Sequence, residues 1–283
     1  MQEYKVTNQI SLKDYKTKVE IDDAKKQLKK VREKLGDWQN TMYAHNKYAV
    51  LVCLQGMDTA GKDSLIREVF KDFNVRGIEV QSFKVPTELE LGHDYLWRHY
   101  IALPQRGKFG VFNRTHYENV LVTRVHPEYI LGENLPDINS VEDVNEAFWD
   151  KRFEQINNFE KHIAENGTII FKFFLNLSKD EQKNRLLRRL EKQEKNWKFS
   201  PGDLKERKLW DTYQACYEEA INRTSKPHAP WYIVPADDKP TARYIVAKTI
   251  YDELMKYTDI VEPELNDKVK ANLKAYKDQL NNE

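Results

Sequence analysis

Hydrophobic and polar positions follow two alternating periods along the chain. Apolar residues recur at spacings of four, three and four within residues 22–46, which predicts one face of a helix. Further helix-like segments cover 63–73 and 93–103 and run from Ser140 to Gly167. Five apolar runs have the length of strands: 48–54, 78–83, 109–112, 168–177 and 231–236. Strands that alternate with helices are joined by crossovers, so the pattern predicts an α/β fold, a parallel five-stranded sheet with helices on both faces.

Three further segments complete this outline. Residues 1–20 are polar and weakly patterned, and we expect an arm that packs on the body or on a neighbouring subunit. Ser178 and Glu181 have capping-box spacing, which predicts a helix over 178–207 inside a helical insertion near 178–222. No repeat, low-complexity tract or flexible linker divides the sequence, so residues 1–283 are expected to form one domain.

Composition narrows the classes of function. Lys and Arg number 46 against 45 Asp and Glu, a formal charge of +1, so there is no global basic field of the kind that nucleic-acid binders carry, and any anion site must be local. Cys53 and Cys216 lack metal-ligand spacing and are expected to be buried, inert thiols. Neither a signal-peptide core nor a membrane span is visible, which makes a soluble cytoplasmic protein the expectation.

The segment GMDTAGKD, residues 56–63, nearly matches a phosphate-binding loop. It follows an apolar strand and opens a helix, as that motif requires. Gly56 and Gly61 allow backbone conformations closed to other residues, successive amides point into one concavity, and Lys62 adds a full positive charge. The alternative is a strand-to-helix turn without a ligand.

Asp63 occupies the position at which common phosphate loops carry Ser or Thr. With Asp58 it places two carboxylates beside the expected phosphates, an arrangement that is repulsive unless a metal lies between them. We therefore expect Mg²⁺ to be obligatory, with Asp58 and Asp63 as ligands of one ion or more. Asp63 alone is equally explained as a helix N-terminal carboxylate that satisfies backbone amides.

The third strand leads into a second candidate group. Asn113 stands where nucleotide-transferring enzymes usually carry Asp, and we expect Glu118 to contact the acceptor or a metal-bound water. Arg114 is the stronger candidate to neutralise the transferring phosphoryl group, and Arg124 is either a second such residue or a member of a surface salt bridge. His116 is a weaker candidate, because a general base must be positioned. A phosphate acceptor needs no such base, so it fits slightly better than a hydroxyl.

Cations recur along the helix predicted after Ser178. They lie at spacings of three, one, three and three, which would place them in one stripe. Such a stripe is either a solvated face or an anion-binding lid, and like charges on one side favour the lid. Its members are Arg185, Arg188, Arg189, Lys192 and Lys195.

With these residues together, the chain resembles a family-2 polyphosphate kinase from about residue 15 to about 257. The resemblance depends on three motifs in this order: GMDTAGKD at 56–63, FNRTHYENVLVTRVH at 112–126, and RLEKQEKNWKFSPGDLKER at 189–207 followed by WDTYQACYEEAI at 210–221.

The resemblance implies a P-loop kinase fold similar to thymidylate kinases, with a helical lid at about 178–210. It implies magnesium-dependent, reversible transfer of the terminal phosphoryl group between inorganic polyphosphate and a nucleotide. Asp58, Lys62 and Asp63 would then handle the metal and the phosphoryl group. Arg114 and a lid arginine, Arg185 or Arg189, would handle its charge.

The resemblance also bears on acceptors and assembly. Many family members carry Asp where this chain has Asn113, and the form with Asn resembles the subgroup that phosphorylates AMP as well as ADP. The expected partners are therefore polyphosphate, AMP, ADP and ATP, with guanine nucleotides an open candidate, and no nucleic acid or membrane. A homo-oligomer, dimer or tetramer, is expected.

Two rival functions remain at this stage. An ATP-dependent nucleoside or nucleoside monophosphate kinase on the same fold would have a similar loop and lid, and donor choice alone separates the two. A nucleotide-binding switch without turnover would be expected to carry a base-recognition signature such as NKxD, which the sequence lacks.

Overall fold

A computed structural model describes residues 1–283 apart from the side chain of Lys195. Within this description the strands form one five-stranded sheet in the order β2-β3-β1-β4-β5, and every neighbouring pair is parallel. The strands are β1 Ala49–Gln55, β2 Ile78–Ser82, β3 Phe109–Asn113, β4 Thr168–Asn176 and β5 Trp231–Pro235. All five predicted strands and the α/β class are confirmed.

The helices cover both faces of this sheet, as predicted. They are α1 Ala24–His45, α2 Lys62–Val69, α3 Glu88–Leu91, α4 Trp97–Tyr100, α5 Glu118–Val125, α6 Glu146–Glu165, α7 Lys179–Glu191, α8 Pro201–Lys208, α9 Trp210–Thr224, α10 Lys239–Leu254 and α11 Asp267–Asn281. Short 3₁₀ turns cover Gln2–Tyr4, Leu12–Asp14, Val75–Gly77, Pro127–Glu133, Val141–Asp143 and Gln193–Lys198.

The residues of β1 show how the two layers form. Val50, Val52 and Leu54 belong to a core cluster shared with α1, α2 and α10. Leu51 and Cys53 point to the other side, where Phe159 and Ile163 of α6 pack. Because successive side chains of a strand point to opposite faces, a continuous apolar run can fill two layers at once.

Three helix predictions need correction. The helical stretch expected over 93–103 is reduced to α4, since the Asp94 carboxylate accepts from the Leu96 amide in a local turn. Ser140 and Asp143 do form a capping box, but it closes a 3₁₀ turn, and Asn145 caps α6 instead.

The third correction concerns the helix expected over 178–207. It is confirmed as far as Glu191, with the Ser178 hydroxyl accepting from the Glu181 amide. At Lys192 the backbone becomes extended, and the chain restarts as α8 behind Ser200. Pro201 lies in the first turn of α8, where proline is tolerated, and it would not fit the interior of one continuous helix. The cations after Arg189 therefore do not continue one straight stripe.

The N-terminal arm packs on its own chain, one of the two placements that we expected. The Val6 amide donates to the Trp231 carbonyl oxygen at 2.9 Å, and Leu12 is buried with its amide bonded to Glu218. Cys53 and Cys216 are buried, and burial raises the pKa of both thiols, which agrees with the expected lack of reactivity.

No helix in the described part of the chain is long and apolar enough to cross a membrane. The organisation of residues 1–283 as one domain stays a prediction.

Candidate active site

The loop 56–63 leaves the carboxyl end of β1 and closes at the start of α2. Gly56 and Gly61 have φ angles of 149° and 107°, and a Cβ on Gly56 would lie 3.0 Å from the Leu175 carbonyl oxygen. Thr59 also adopts a positive φ, 66°, although it is not glycine. This backbone curvature is the arrangement that turns successive amides toward one ligand.

Lys62 is buried inside this loop. Its Nζ donates to the Gly56 carbonyl oxygen at 2.6 Å, so the side chain folds back along the loop toward its first residue. Burial lowers the pKa of Lys62 to about 8, and the neighbouring Arg114 acts in the same direction, while Asp58 and Glu118 oppose it. An anion that entered the loop would meet an ammonium group whose charge is poorly compensated by the protein alone.

Asn113, the last residue of β3, contacts the carboxylate at the start of α2. Its Nδ2 donates to Asp63 Oδ1 at 2.7 Å and to the Ser82 hydroxyl at 3.4 Å. The other amide atom, Oδ1, is buried and has no hydrogen-bond partner among the described residues. Buried polar atoms are nearly always satisfied, so this oxygen is available to a ligand.

Arg114 joins the two halves of the site. Its Nη2 donates to Asp58 Oδ1 at 2.7 Å and its Nη1 to Glu118 Oε2 at 3.2 Å. The backbone of Arg114 has a φ of 61°, a conformation that costs an L-residue about 1–2 kcal/mol. Glu118 raises the pKa of the Arg114 guanidinium, and Asp58 does so to a smaller extent, so this cation is permanent.

The oxygen atoms at the site suit Mg²⁺. Asp58 and Asp63 both face the cavity, and the unpartnered Oδ1 of Asn113 lies on the same side chain that contacts Asp63. Among the described residues no three His, Cys, Asp or Glu side chains form a metal cluster on their own. Mg²⁺ is commonly held by one or two carboxylates while substrate phosphates and water supply the remaining oxygens. The donor set therefore fits a magnesium ion that is shared with a phosphate ligand.

Arg185 is buried against the back of the loop. It donates to the carbonyl oxygens of Thr59 and Ala60 at 3.0 Å each, and to that of Ala236 at 2.7 Å. Glu181 accepts from its Nε at 2.7 Å. This arginine thus clamps loop 56–63 to α7 and to the end of β5, and it also lines the cavity.

These elements enclose a cavity of about 710 Å³ at the carboxyl ends of the strands. Ten of its lining residues are Lys or Arg and two are carboxylates, so the cavity is strongly cationic in a chain whose formal charge is +1. The local anion site that the sequence predicts would lie here. Sheet folds of this kind usually bind ligands at this edge.

The family model of polyphosphate kinase 2 matches residues 18–262. An ADP-polyphosphate phosphotransferase of Rhodopseudomonas palustris is 50% identical over 222 residues, 78% of this chain and 76% of that protein. An AMP/ADP-polyphosphate phosphotransferase of Meiothermus ruber is 45% identical over 224 residues, 79% of this chain and 78% of that protein. The chain belongs to the polyphosphate kinase 2 family.

The fold agrees with this membership. The crystal structure of polyphosphate kinase 2 from Arthrobacter aurescens superimposes with a TM-score of 0.87 at 34% identity, and the match covers 98% of this chain and 96% of that one.

In this polyphosphate kinase 2 family member most of the expected site residues meet at the cavity. Glu118 contacts it through Arg114, and the Gly56 carbonyl contacts it through Lys62. The expected residues that line the cavity are Asp58, Gly61, Lys62, Asp63, Asn113, Arg114, Arg185, Arg188 and Arg189.

Besides Gly56, two expected phosphate contacts are not among the cavity-lining residues, and a third has a side chain that is not described. Arg124 lies elsewhere, paired with Glu146 at 3.1 Å and Glu219 at 3.0 Å and stacked over Trp149, which is the surface ion pair that the sequence left open. Lys192 is exposed beyond the end of α7, where the backbone has turned away. The side chain of Lys195 lies outside the described residues.

Sequence reasoning missed half of the cations of this polyphosphate kinase 2 cavity. Lys84 follows β2, and Lys239 and Arg243 open the helix that follows β5, so all three come from the carboxyl ends of parallel strands. That placement was the available signal, because those ends meet at one edge of a sheet. The missed cations are Arg67, Lys84, Lys198, Lys239 and Arg243.

Proposed function

We propose that this chain transfers the terminal phosphoryl group of inorganic polyphosphate to a nucleotide, forming ATP from ADP and ADP from AMP, and that the transfer is reversible. The observation that carries the proposal is the cavity in which ten cationic side chains meet a glycine loop. A chain of phosphates, each with a negative charge, matches that excess of positive charge far better than one nucleotide does.

The roles of the residues follow from their places. Lys62 and the loop amides would hold the end of the chain, and Arg114 would lie beside the phosphoryl group that moves, since it bonds to both Asp58 and Glu118. Arg188, Arg189 and Lys239 would bind phosphates further along. Mg²⁺, held by Asp58 and Asp63, would neutralise the developing charge when bound.

Arg188 and Arg189 lie on the helical segment that we propose as a lid. Arg189 donates to Asp203 Oδ2 at 3.0 Å, so α7 and α8 are tied together beside the cavity. Closure of such a segment over the phosphates would exclude water from the transfer.

Both AMP and ADP are proposed as acceptors. The relative from Meiothermus ruber is named for AMP and ADP, whereas the relative from Rhodopseudomonas palustris is named for ADP. Asn113 leaves the site one charge less negative than Asp would, which reduces repulsion of an acceptor phosphate. An acceptor phosphate is already anionic, so the reaction needs no side chain to remove a proton from it.

Cytoplasmic location and a homo-oligomeric state are part of the same proposal, and guanine nucleotides are further candidate acceptors. The ATP-dependent kinase that the sequence left open is not favoured, because the related proteins are named for polyphosphate transfer.

Phosphorus NMR tests the proposal directly. Purified protein is mixed with Mg²⁺ and long-chain polyphosphate, with AMP in one tube and ADP in a second, and EDTA in matched controls. Growth of the ADP or ATP signals only in the tubes without EDTA supports polyphosphate as the donor, the nucleotide as the acceptor and the requirement for a metal ion. No change in either tube, while ATP and a nucleoside monophosphate react, would show an ordinary nucleotide kinase.

A further inference from the structure

A buried ion pair lies against the segment that follows β3. Lys172, in the middle of β4, and Glu160, on α6, have no exposed surface, and 2.6 Å separates Nζ from Oε2. The same ammonium group donates to the Tyr117 hydroxyl and to the Thr224 carbonyl oxygen, each at 2.8 Å. An ammonium group has three hydrogens to donate, so Lys172 is fully satisfied.

The second oxygen of Glu160 faces the segment that follows β3. It accepts from the Tyr117 hydroxyl at 2.8 Å and lies 3.1 Å from Nε2 of His116, which must carry a proton there because an ionised carboxylate only accepts. Burial raises the pKa of the Glu160 carboxyl, but Lys172 and His116 outweigh it, so the net pKa lies below its ordinary value. Glu160 is therefore an anion with every contact directed at Lys172 or at residues 116 and 117.

Stability alone does not account for this pair. Two enclosed charges lose their hydration, and an apolar pair of similar volume is often at least as stable. The pair instead fixes the orientation of its neighbours, since hydrogen bonds to fixed charges allow few orientations of the Tyr117 and His116 side chains.

His116 and Tyr117 come two and three positions after Arg114, whose backbone has a positive φ. The segment is held from a second side as well, because the Thr115 hydroxyl accepts from Gln55 Nε2 and from the Tyr117 amide, each at 3.1 Å. Gln55 is the last residue of β1, next to Gly56. Residues 115–117 are thus fixed both to the loop strand and to the buried pair, while Arg114 on one side lines the cavity and Glu118 on the other accepts from the Arg114 guanidinium.

We propose that Glu160 and Lys172 are positioning residues, which act through Tyr117 and His116 to hold residues 113–118 in the conformation that presents Arg114 and Glu118 to the substrates. The kinetic part of this inference rests on the proposed function, whereas the conformational part does not.

Two variants test the positioning role, one by removing a single hydroxyl and the other by removing the whole ion pair. Tyr117→Phe removes only the hydroxyl that joins the segment to the pair, and Glu160→Leu with Lys172→Met removes the pair itself. For both we expect kcat of polyphosphate-dependent transfer to fall about ten- to a hundredfold, the range that follows a small misplacement of catalytic groups. KM for polyphosphate should change by less than about threefold. Amide hydrogen exchange of residues 113–118 should become faster.

A matched control is available on the same helix. Arg152 of α6, which is buried, forms an ion pair with the largely covered Glu133, and among the described residues neither side chain is hydrogen-bonded to residues 113–118 or lines the cavity. Glu133→Leu with Arg152→Met should leave kcat and the exchange of residues 113–118 as in the wild type.

The outcomes separate the inference from the proposed function. Wild-type kcat and exchange in Tyr117→Phe would overturn the inference, and so would equal losses in the control variant. If the double variant fails to fold, Tyr117→Phe decides alone. If the wild type transfers nothing from polyphosphate, the proposed function fails, and hydrogen exchange still decides whether the pair positions the segment.

Discussion

The contact between Asp63 and Asn113 joins two residues that depart from the usual phosphate-loop pattern. The carboxylate at the start of α2 is oriented by the amide at the end of β3, 2.7 Å away, although fifty positions separate them in sequence. An amide that donates to a carboxylate fixes its orientation without adding charge. The unusual carboxylate at position 63 is therefore held by the unusual amide at position 113.

Replacing Asp63 by the residue common in phosphate loops tests its role. We expect Asp63→Ser to lower kcat at millimolar Mg²⁺ by about a hundredfold, the size of loss seen when one preorganised electrostatic contact is removed. The measurement is the rate of ATP formation over a magnesium titration. Glu68→Gln, in the last turn of the same helix, where the carboxylate pairs with Arg32, is the control and should keep the wild-type rate. Near-wild-type rates in Asp63→Ser would contradict a metal-binding role.

The lysines of the cavity make a prediction about pH. Burial lowers the pKa of Lys239 to about 8, with Arg185 and Arg188 acting in the same direction, and Lys62 has a pKa of about 8 as well. Both groups are cations below pH 8 and lose their charge above it. Affinity for polyphosphate should therefore fall between pH 7 and 9.5, seen as a rise in KM. Bound phosphates favour the ammonium form, so kcat should change less.

Lys239→Arg separates this effect from general alkaline inactivation. A guanidinium keeps its charge over that pH range, so the rise in KM should be smaller in this variant. Lys161→Arg, at an exposed position of α6, is the control and should behave as the wild type. Identical pH profiles for Lys239→Arg and the wild type would rule out titration of Lys239 as the cause.

At the scale of elements, the helix α7 carries two arginines with different surroundings. Arg185 is only 4% exposed and donates to backbone oxygens of two loops, whereas Arg189 is 23% exposed and pairs with Asp203. In the sequence they lie four positions apart, a spacing that predicts one cationic face of a helix. The first holds two loops in place, whereas the second, which has fewer hydrogen bonds, is the one that we expect to bind a ligand.

Matched substitutions should show this difference. Arg185→Met is expected to reduce the free energy of unfolding by about 3 kcal/mol, since it leaves Glu181 and several carbonyl oxygens without their partner. Arg189→Met should cost less than about 1 kcal/mol, as partly exposed ion pairs do, while it raises KM for polyphosphate. Urea denaturation and initial rates measure the two effects. Equal losses of stability in both variants would contradict the clamp.

The sequence predicted the parts of the site that follow from local rules. A glycine motif between an apolar strand and a helix has one common geometry, so loop 56–63 could be placed and Lys62 with it. The different surroundings of Arg185 and Arg189 could not be predicted, because a buried clamp and an exposed ligand look alike in a periodic pattern. Lys239 and Arg243 were missed because no motif marks them, and only the order of the strands brings β5 near the loop.

At the scale of the whole molecule, the helix α11 is separate from the regions discussed so far. None of its residues is buried, it lies beyond the family match that ends at residue 262, and its apolar side chains Leu273, Tyr276 and Leu280 follow helical spacing. Such a helix contributes little to the core of its own chain, and the proposed assembly with other copies is the use that best fits it.

Removal of residues 263–283 is therefore expected to leave the free energy of unfolding within about 1 kcal/mol of the full chain, as changes of exposed residues do. Light scattering should show a smaller particle. A full-length variant with Leu273→Ser and Leu280→Ser, which keeps the helix and removes its apolar side, should give the same smaller particle. An unchanged mass in both would place the assembly surface elsewhere.

The net charge of the cavity also fixes the net charge of all other residues. The lining residues carry eight more positive than negative charges, and the whole chain carries one, so all remaining residues together carry a net charge of about seven negative units. A polyphosphate chain longer than the cavity therefore meets no further net excess of positive charge on the rest of the chain. Binding should then gain nothing from further length, and a long chain should be gripped only at its reacting end, free to slip forward by one phosphate after each transfer.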